Sequence, residues 1–233
     1  MISEERWKKA QAAEADNWAD TGRNSWRLLY ELTEHSDVAK QLHSLLNGRT
    51  NLVGLEVGVG LLGIGFLAVH TFPYFSRIVG VEPLSIVEID LEDKALTKYT
   101  KELQSRVEVV KVKGENLPFA DHSFDTVCCI NVIDHSHSPD QILKEIARVT
   151  KPDGIFVFGV NTLSLLGRQK WRMLRFLNPN KPLFVAHPHI LSWRCARGMA
   201  SPSWSILWEN KPSGWQRFAG HGRMSFWILE RVR

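Results

Sequence analysis

The pattern of apolar and polar positions along this chain is that of strands alternating with helices. Short apolar runs typical of buried strands lie at 52–57, 77–81, 107–112, 124–130 and 155–160. Between the runs, apolar residues recur at helical spacing, as in Ile142, Leu143, Ile146 and Val149. Strands that alternate with helices in this way predict a parallel sheet with helices on both faces.

Capping signals predict where two of the helices begin. Ser85 starts a capping-box pattern, which predicts a helix that runs to about Leu103. Ser138 precedes Pro139, so a second helix is predicted to begin at this proline, with Gln141 as the box partner of Ser138. Both helices follow a predicted strand, as a parallel arrangement requires.

The two ends of the chain depart from this alternation. Residues 3–46 show helical spacing, including an apolar face over 28–32. Near the C-terminus, 204–208 and 224–229 alternate between apolar and polar residues, so we predict that they pair as an antiparallel hairpin. The part before them, 161–200, is basic, rich in Trp and His, and reads as irregular.

These patterns predict the division of the chain and its fold class. We expect an N-terminal helical cap at 1–48 and one domain at 49–233, with a variable basic insert at 161–200. The expected fold is α/β, a doubly wound, mostly parallel seven-stranded sheet with a C-terminal antiparallel hairpin and an N-terminal helical extension. A chain of 233 residues is long enough for one sizeable core.

Charge is distributed unevenly along the chain. The net charge is +4, but the residues from Asn161 onward carry +10, with 12 Lys and Arg against 2 acids, and the first 160 residues carry −6. A basic C-terminal third is typical of proteins that meet an acidic small molecule, a nucleic acid or an anionic membrane surface. Nucleic acid is disfavoured because no known binding module is present. A solvated basic face that balances the acidic part explains the charge equally well.

The N-terminal residues predict a cytoplasmic protein. The opening sequence MISEERWKKAQAAEADNW is polar and lacks the apolar core of a secretory signal. The 3 cysteines are too few for a disulfide framework. Cys128 and Cys129 are adjacent on a predicted strand and should point to opposite faces as buried thiols.

The stretch 52–67, LVGLEVGVGLLGIGFL, carries the clearest sign of function. It passes from an apolar run through Gly58, Gly60 and Gly63 into helical spacing, which predicts a strand, a tight turn and a helix. Glycines at such a turn let a ligand approach the backbone, and a helix N-terminus offers N–H groups. Glu82 ends the next strand about 20 residues downstream, where a carboxylate can accept ribose hydroxyls. An adenosine-containing ligand, a dinucleotide included, is therefore predicted.

Four segments carry a resemblance to a known family: LEVGVG, VGVEPL, GENLPFADHSFDTV and NVIDHSHSPDQILKEIARVTKPDGIFVF. Together they resemble the class I S-adenosylmethionine-dependent methyltransferases over about residues 52–160, and most closely the broad group that acts on small molecules. The N-terminal WKKAQAAEADNW is similar to the opening helix of methyltransferases of sugar and polysaccharide pathways. The resemblance implies a Rossmann-like fold, S-adenosylmethionine as the cofactor and methyl transfer as the activity.

Carried over by position, the resemblance assigns cofactor contacts to Glu56, Gly58, Gly60, Gly63, Glu82, Pro83, Leu84, Gly114, Glu115 and Asn131. It implies that Glu56 orients the glycine turn or meets the methionine amino group, and that Glu82 accepts both ribose hydroxyls. Pro83 and Leu84 would lie beside the adenine. Asn131 would face the place where the sulfonium methyl points.

Two positions depart from the family pattern. The family often has a third glycine two places after Gly60, where this chain has Leu62, so the turn should close differently around Gly63. The family usually has an acid at the position of Lys113 to accept the adenine amino group, and a lysine has no acceptor. We therefore expect Glu115, or backbone and packing alone, to hold the adenine.

The acceptor side is predicted from residues after the fourth strand and in the basic insert. His135 is the candidate general base, because the pKa of histidine suits proton transfer near neutrality, and a loop histidine bonded to backbone is the plain alternative. His187 and His189 are second candidates that would line the acceptor pocket. Arg168 and Arg172 stand among aromatic residues in a segment predicted to form a lid over an acidic or membrane-associated acceptor, such as a sugar that carries phosphate. A nucleic-acid patch and a surface helix packed by Trp171 and Leu174 are the two alternatives for this segment. No metal site is expected, because the two insert histidines lack convincing partner ligands.

The function predicted from the sequence is S-adenosylmethionine-dependent methylation of an oxygen or nitrogen atom of a small molecule, with a sugar or polysaccharide precursor as one candidate. The glycine turn and Glu82 also permit a nicotinamide-dependent oxidoreductase. A cofactor-binding or scaffold protein without catalysis is the third interpretation, because Leu62 and Lys113 depart from the family pattern and no strong base is evident.

Overall fold

In the computed structural model, the described residues are 1–19, 35–200, 203–220 and 222–232. The apolar face that the sequence predicts over 28–32 lies outside these ranges. Within them, none of the helices has both the length and the apolar character needed to cross a membrane.

The helices of the described residues are α1 (Glu4–Ala19), α2 (Ser36–Leu46), α3 (Gly65–His70), α4 (Lys94–Ser105), α5 (Pro139–Val149), α6 (Leu165–Leu177), α7 (Pro182–Ala186), α8 (Trp193–Ala200) and α9 (Gly214–Ala219). The strands are β1 (Leu52–Val57), β2 (Phe75–Val81), β3 (Glu108–Val110), β4 (Phe124–Ile130), β5 (Thr150–Thr162), β6 (Trp204–Glu209) and β7 (Arg223–Arg231). Short 3₁₀ turns form at Phe72–Tyr74 and Ile133–His135.

The strands form one seven-stranded sheet in the order β3-β2-β1-β4-β5-β7-β6. The first five strands pair in parallel, and β7 runs antiparallel between β5 and β6. The predicted α/β fold with its C-terminal antiparallel hairpin is thereby confirmed. The strand order reverses between β1 and β4, and ligands bind outside the carboxyl ends of parallel strands at such a point.

Two hydrophobic cores cover the two faces of the sheet. One contains Leu42 of α2, and the other contains Phe158 and Trp227, whose rings stack with centroids 5.3 Å apart. Cys128 and Cys129 belong to different cores and both are buried, as the alternation of side chains along a strand requires. Burial of apolar surface on both faces is the main stabilising term of such a sheet.

The loop before β4 is held by Arg148 of α5. Its guanidinium donates to the carbonyl oxygens of Leu117 at 2.9 Å and Phe119 at 2.7 Å. Glu145 accepts the N–H of Leu117 at 2.9 Å and pairs with Arg148 at 2.8 Å. Two of the segments that carry the family resemblance therefore stabilise each other through hydrogen bonds.

The N-terminal helix α1 lies over the carboxyl edge of the sheet. Arg6 donates from Nη2 to the carbonyl oxygen of Phe184 in α7 at 2.7 Å. Lys113, in the loop after β3, pairs through Nζ with Glu4 Oε1 at 3.1 Å. The helix is thus attached to segments that follow β3 and β5.

The helix predicted from Ser85 begins later than the sequence pattern indicates. α4 starts at Lys94 because Asp93 caps it, with Oδ1 accepting the N–H groups two and three residues on at 2.9 and 3.0 Å. Ser85 is exposed, and its hydroxyl accepts from Lys111 Nζ at 2.9 Å instead. The prediction was wrong because the capping-box spacing at Ser85 falls in a loop.

The insert at 161–200, predicted as irregular, is largely helical. α6 follows Ser164, whose Oγ accepts the N–H of Gly167 at 3.0 Å. Trp171 of α6 packs edge-on against Phe184 of α7 with ring centroids 4.9 Å apart. The sequence pattern gave α6 only as one alternative, a packed surface helix, because its exposed side also carries large apolar residues, among them Phe176 at 86% exposure.

We expect Asp93→Ala to lower the free energy of unfolding by about 1 kcal/mol, because it removes the acceptor for two N–H groups of α4. Ser85→Ala should change it by no more than about 0.5 kcal/mol, since Ser85 is a surface residue away from a helix end. Urea unfolding of the two variants measures the difference. A larger loss for Ser85→Ala than for Asp93→Ala would contradict the observed start of α4.

Candidate active site

A cavity of about 220 Å³ opens at the carboxyl ends of β1, β2 and β4. Its walls are the glycine turn after β1, the residues after β2 and β3, the turn after β4 and one side of α1. The predicted site residues that line it are Glu56, Gly58, Gly60, Glu82, Pro83, Leu84, Gly114, Glu115, Asn131 and His135. The structure therefore brings most of the predicted cofactor residues together with His135.

Glu56 lies beneath the glycine turn with both carboxylate oxygens bonded to backbone. Oε1 accepts the N–H of Phe66 at 2.7 Å, and Oε2 accepts that of Leu67 at 2.9 Å. These groups belong to the first turn of α3, so Glu56 supplies the cap that the N-cap residue Ile64 lacks. Burial raises the pKa of Glu56 to about 7, and the two backbone N–H groups oppose the rise. Of the two roles predicted for Glu56, these contacts fit the one in which it orients the glycine turn.

Three glycines with left-handed backbone line the cavity: Gly58, Gly60 and Gly65, with φ of 77°, 67° and 69°. A side chain at Gly58 would collide with Val132, because a Cβ would lie 2.3 Å from Val132 Cγ2. Gly63 also has a positive φ, of 64°, but it lies outside the cavity wall and donates its N–H to the carbonyl of Gly60 at 3.0 Å. The third cavity glycine is therefore Gly65 rather than the predicted Gly63.

Glu82 follows β2 directly and is 8% exposed. Its Oε1 accepts the N–H of Leu84 at 3.1 Å. Burial raises the pKa of Glu82 to about 7, against the lowering effect of N–H groups from Leu84 and Gly60. Pro83 and Leu84 continue the same wall. A buried carboxylate at this position, one strand from the glycine turn, fits the hydroxyl groups of a ribose.

Lys113 stands where the family usually has an acid, and it contacts α1. Its Nζ lies 3.7 Å from the centroid of the Trp7 ring and pairs with Glu4. A cation over an aromatic face is stabilised by the ring quadrupole. Gly114 beside it allows close packing, because a Cβ there would lie 2.8 Å from Val57 Cγ1. The unexpected lysine thus attaches the N-terminal helix to the cavity wall.

Glu115 lines the cavity and also caps α5. Its Oε1 accepts the N–H groups of His137 and Ser138 at 2.9 and 3.0 Å. The side chain of Ser138 makes no capping bond, so the capping box predicted between Ser138 and Gln141 is wrong. A carboxylate from the preceding loop takes that place, which a local sequence pattern does not reveal.

Asn131 ends β4 in a left-handed conformation with φ of 57°, which is uncommon for a residue other than glycine. Its N–H donates to the carbonyl of Gly159 at 2.9 Å, and its Oδ1 accepts from Asn161 Nδ2 at 2.8 Å. Backbone and side chain are therefore both fixed at the cavity wall. Residues held in such conformations cluster at ligand sites.

His135 is the centre of a buried cluster of ionisable side chains. Its Nδ1 lies 3.0 Å from the carbonyl oxygen of Ala186 and 3.1 Å from Glu14 Oε1. Asp134 Oδ2 lies 3.7 Å from His135 Nε2 and 3.0 Å from His187 Nδ1. The rings of His135 and His187 have centroids 4.2 Å apart. The cluster joins α1, the turn after β4 and the segment after α7.

The charges within this cluster decide whether the imidazole of His135 is protonated. Burial by itself lowers the pKa of His135, but the carboxylates of Asp134 and Glu14 outweigh it and raise the pKa to about 9. Burial raises the pKa of Asp134, and the charge of His135 together with the bond from His187 reverses this, so the pKa lies below its ordinary value. His135 therefore carries a proton at neutral pH.

The two insert histidines lie beside His135 but outside the cavity wall. His189 Nε2 lies 2.9 Å from the carbonyl oxygen of Ser136. Glu14, His135 and His187 each offer an atom within 4.8 Å of the other two, a spacing that can hold a metal ion. The partner ligands that His187 lacks in the sequence pattern are therefore supplied by Glu14 and His135, which are distant from it in sequence.

Arg168 and Arg172 occupy different environments, although both were predicted to meet the acceptor. Arg168 is half-buried and lines a separate cavity beside α6. Arg172, one turn later, is exposed and lines neither cavity. The structure does not bring these two residues together with His135.

The N-terminal helix contributes site residues that the sequence analysis did not assign. Trp7, Gln11 and Glu14 line the cavity from α1. Gln11 Nε2 lies 3.5 Å from the carbonyl oxygen of His135. The spacing of these three residues on one helix face was the available signal, but it did not show what they would contact.

Comparison with known proteins identifies this arrangement. Residues 55–158 match a family model described as a methyltransferase domain. The tRNA U34 carboxymethyltransferase of Syntrophotalea carbinolica is 29% identical over 47% of this chain and 36% of its own length. The thiol S-methyltransferase TMT1B of Rattus norvegicus is 29% identical over 76% of this chain and 71% of its own length. The chain thus spans about a third of the first relative's length.

A solved structure shows the same fold. The YcgJ protein of Bacillus subtilis superposes with a TM-score of 0.59 at 19% identity, covering 85% of this chain and 99% of that chain. At this level of identity the similarity concerns the fold alone. It includes the seven-stranded sheet at whose edge the cavity lies.

We expect His135→Gln to flatten the dependence of stability on pH between about 6.5 and about 9. The folded state holds the His135 proton and the unfolded state releases it at the ordinary value of 6.5, so this stability is present below pH 6.5. It is lost as the pH rises through about 9. Urea unfolding at a series of pH values measures the slope.

His43→Gln is the matched control, because His43 is an exposed histidine bonded to the hydroxyl of Tyr74. The slope of the free energy of unfolding against pH for His43→Gln should equal that of the unsubstituted protein. Glu56 and Glu82 also have raised pKa values, of about 7. His135 does not act on Glu56, and its charge has only a minor lowering effect on the pKa of Glu82, so these two groups change the comparison little. Equal slopes for His135→Gln and the unsubstituted protein would contradict the charged state of His135.

Proposed function

We propose that this chain is a class I S-adenosylmethionine-dependent methyltransferase and that it methylates an oxygen or nitrogen atom of a small molecule. A sugar or polysaccharide precursor is one candidate acceptor. The relatives act by name on different acceptors, a tRNA base and a thiol, so the acceptor is argued from this chain's own site.

The observation that carries the proposal is the placement of Glu82 opposite the glycine turn. Its buried carboxylate lies in the same cavity as Gly58 and Gly60, whose backbone has no Cβ to block a ligand. This set fits a nucleoside with an amino-acid extension, with the ribose on Glu82 and the methionine part along the glycines. Lys113, which departed from the family pattern, is engaged with α1 and leaves Glu82 unobstructed.

The work left to the protein is positioning, because S-adenosylmethionine when bound supplies a methyl group that is already activated as a sulfonium. Asn131, fixed by Asn161 and the backbone of Gly159, bounds the cavity at the end of β4. Trp7 and Gln11 of α1 form the outer wall and limit the entry of water. Holding two reactants in line in this way supplies much of the acceleration of a bimolecular transfer.

We propose that His135 handles the acceptor's proton when the acceptor is a hydroxyl. It lines the cavity, whereas His187 and His189 stand behind it. Only the neutral imidazole accepts a proton, and the carboxylates of Asp134 and Glu14 hold the pKa of His135 at about 9. Turnover of a hydroxyl acceptor should therefore rise with pH toward about 9.

A thiol is the second candidate acceptor, and the charged state of His135 favours it. A thiol ionises on its own at a pKa of about 8.5, and a neighbouring cation stabilises the thiolate. His135 is such a cation at neutral pH. With a thiol acceptor, turnover should therefore reach its plateau below about pH 8.5, while His135 is still charged, rather than continue to rise toward about 9.

We expect Glu82→Ala to weaken the binding of S-adenosylhomocysteine by roughly tenfold or more. Charge-assisted hydrogen bonds to ribose hydroxyls are worth about 1.5–3 kcal/mol, and the variant removes them. Titration calorimetry at pH 8 measures the affinity with the carboxylate ionised, because the pKa of Glu82 is about 7.

Glu108→Ala is the control, since Glu108 is an exposed acid on β3 paired with Arg77 at 2.7 Å, outside the cavity. The affinity of Glu108→Ala for S-adenosylhomocysteine should equal that of the unsubstituted protein. NAD should show no binding to any of the three proteins. Equal affinities for Glu82→Ala and Glu108→Ala would rule out the proposed role of Glu82.

A further inference from the structure

A second cavity, of about 430 Å³, lies next to the first at the end of β5. Its walls come from the end of β5, the first turns of α6, α8 and α9, and the start of β7. Asn161, which bonds to Asn131 in the wall of the first cavity, directly precedes Thr162 in the wall of the second. The second cavity therefore lies at the end of β5, the strand adjacent to β4, whose end bounds the first cavity, and both cavities lie at the edge of the sheet where ligands bind in this fold.

The charged residues described in the wall of the second cavity are all basic. Arg168, Arg194, Arg217 and Arg223 all contribute to its wall, and none of the described lining residues is an aspartate or a glutamate. The nearest acid of the C-terminal hairpin, Glu209, is engaged by Arg197 at 2.9 Å. Like charges gathered in a concave site repel one another unless an anion neutralises them.

Two buried donors in this wall have no acceptor among the described residues. Trp193 is 8% exposed, and its indole N–H is fully buried without a hydrogen-bond partner. The Nε of Arg168 is also buried and unpartnered. A buried donor without an acceptor is costly, and a turn of the flexible Arg168 side chain toward an anion in the cavity would relieve that cost for its Nε.

The remaining wall supports the same ligand. Arg217 lies over the Trp193 ring, with the guanidinium carbon 5.7 Å from the ring centroid. Arg223 donates to Gln216 Oε1 at 3.5 Å and to the carbonyl oxygen of Asn210 at 3.3 Å, which holds it at the rim. The first turns of α6 and α8 face the cavity, and helix N-termini favour negative charge.

We propose that this second cavity is a binding site for a phosphoryl group, and that it anchors a phosphorylated small-molecule acceptor whose other end reaches the methyl-transfer cavity. Guanidinium groups match the geometry of phosphate oxygens. Four of them carry more positive charge than a single carboxylate ligand would neutralise. The anchoring role rests on the proposed methyl transfer, whereas the phosphoryl site itself does not.

Titration calorimetry with inorganic pyrophosphate on the full chain tests the site, and Arg172 provides a matched control. Arg168→Gln should weaken pyrophosphate binding by about tenfold or more, because it removes a charged donor from the wall. Arg172→Gln removes the same charge one turn away on the exposed side of α6 and should change the affinity by less than about twofold. Arg217→Gln serves if Arg168→Gln fails to fold.

The possible outcomes distinguish a failure of the phosphoryl site from a failure of the proposed methyl transfer. Binding of pyrophosphate and of glucose 1-phosphate in competition, with plain glucose inactive, supports a phosphorylated small molecule. No pyrophosphate binding, equal losses for Arg168→Gln and Arg172→Gln, or binding of a short single-stranded RNA in place of pyrophosphate overturns the proposal. S-adenosylhomocysteine should bind Arg168→Gln normally, and its failure to bind the unsubstituted protein would refute the proposed function while leaving the phosphoryl site standing.

Discussion

The two hydrogen bonds from the backbone of α3 to the buried carboxylate of Glu56 are the constraint on which the site depends. The N–H groups of Phe66 and Leu67 would otherwise be unpaired in the interior, at a cost of about 1–3 kcal/mol each. The carboxylate reaches them because Gly65 has no side chain, and a Cβ there would lie 2.7 Å from Glu56 Cγ. Glu56 and Gly65 together therefore hold the turn open as one wall of the cavity.

The opposite wall depends on charge as well as on the packing of Trp7 and Ala10. α1 is attached to the rest of the chain by Lys113 after β3, by His135 after β4 and by the carbonyl of Phe184 after β5. The Lys113–Glu4 pair is partly exposed, and such pairs contribute little. The His135–Glu14 pair is largely buried, and loss of Glu14 would leave Asp134 as the one carboxylate described beside the charge of His135. The positive state of His135 is thus part of how the cavity is built as well as of its chemistry.

The sequence predicted the elements whose signals are local and failed where tertiary contacts decide. Strand and helix alternation, and the spacing from the glycine turn to Glu82, can be read from periodicity because buried strands leave apolar runs. Three features cannot be read from periodicity, because each joins residues that only the fold brings together. They are the third cavity glycine, the cap of α5 by Glu115 and the contact of Glu14 with His135. Helix α6 of the insert could be predicted only as one of several alternatives, because its exposed side is also apolar.

The central claim is that the cavity at the carboxyl ends of β1, β2 and β4 holds the nucleoside cofactor. A crystal structure of the chain with bound S-adenosylhomocysteine tests it most directly. We expect the ribose hydroxyls within hydrogen-bonding distance of the Glu82 carboxylate, the amino-acid part along Gly58 and Gly60, and the sulfur facing Asn131. A nucleoside bound elsewhere, or one in this cavity with its ribose turned away from Glu82, would contradict the account.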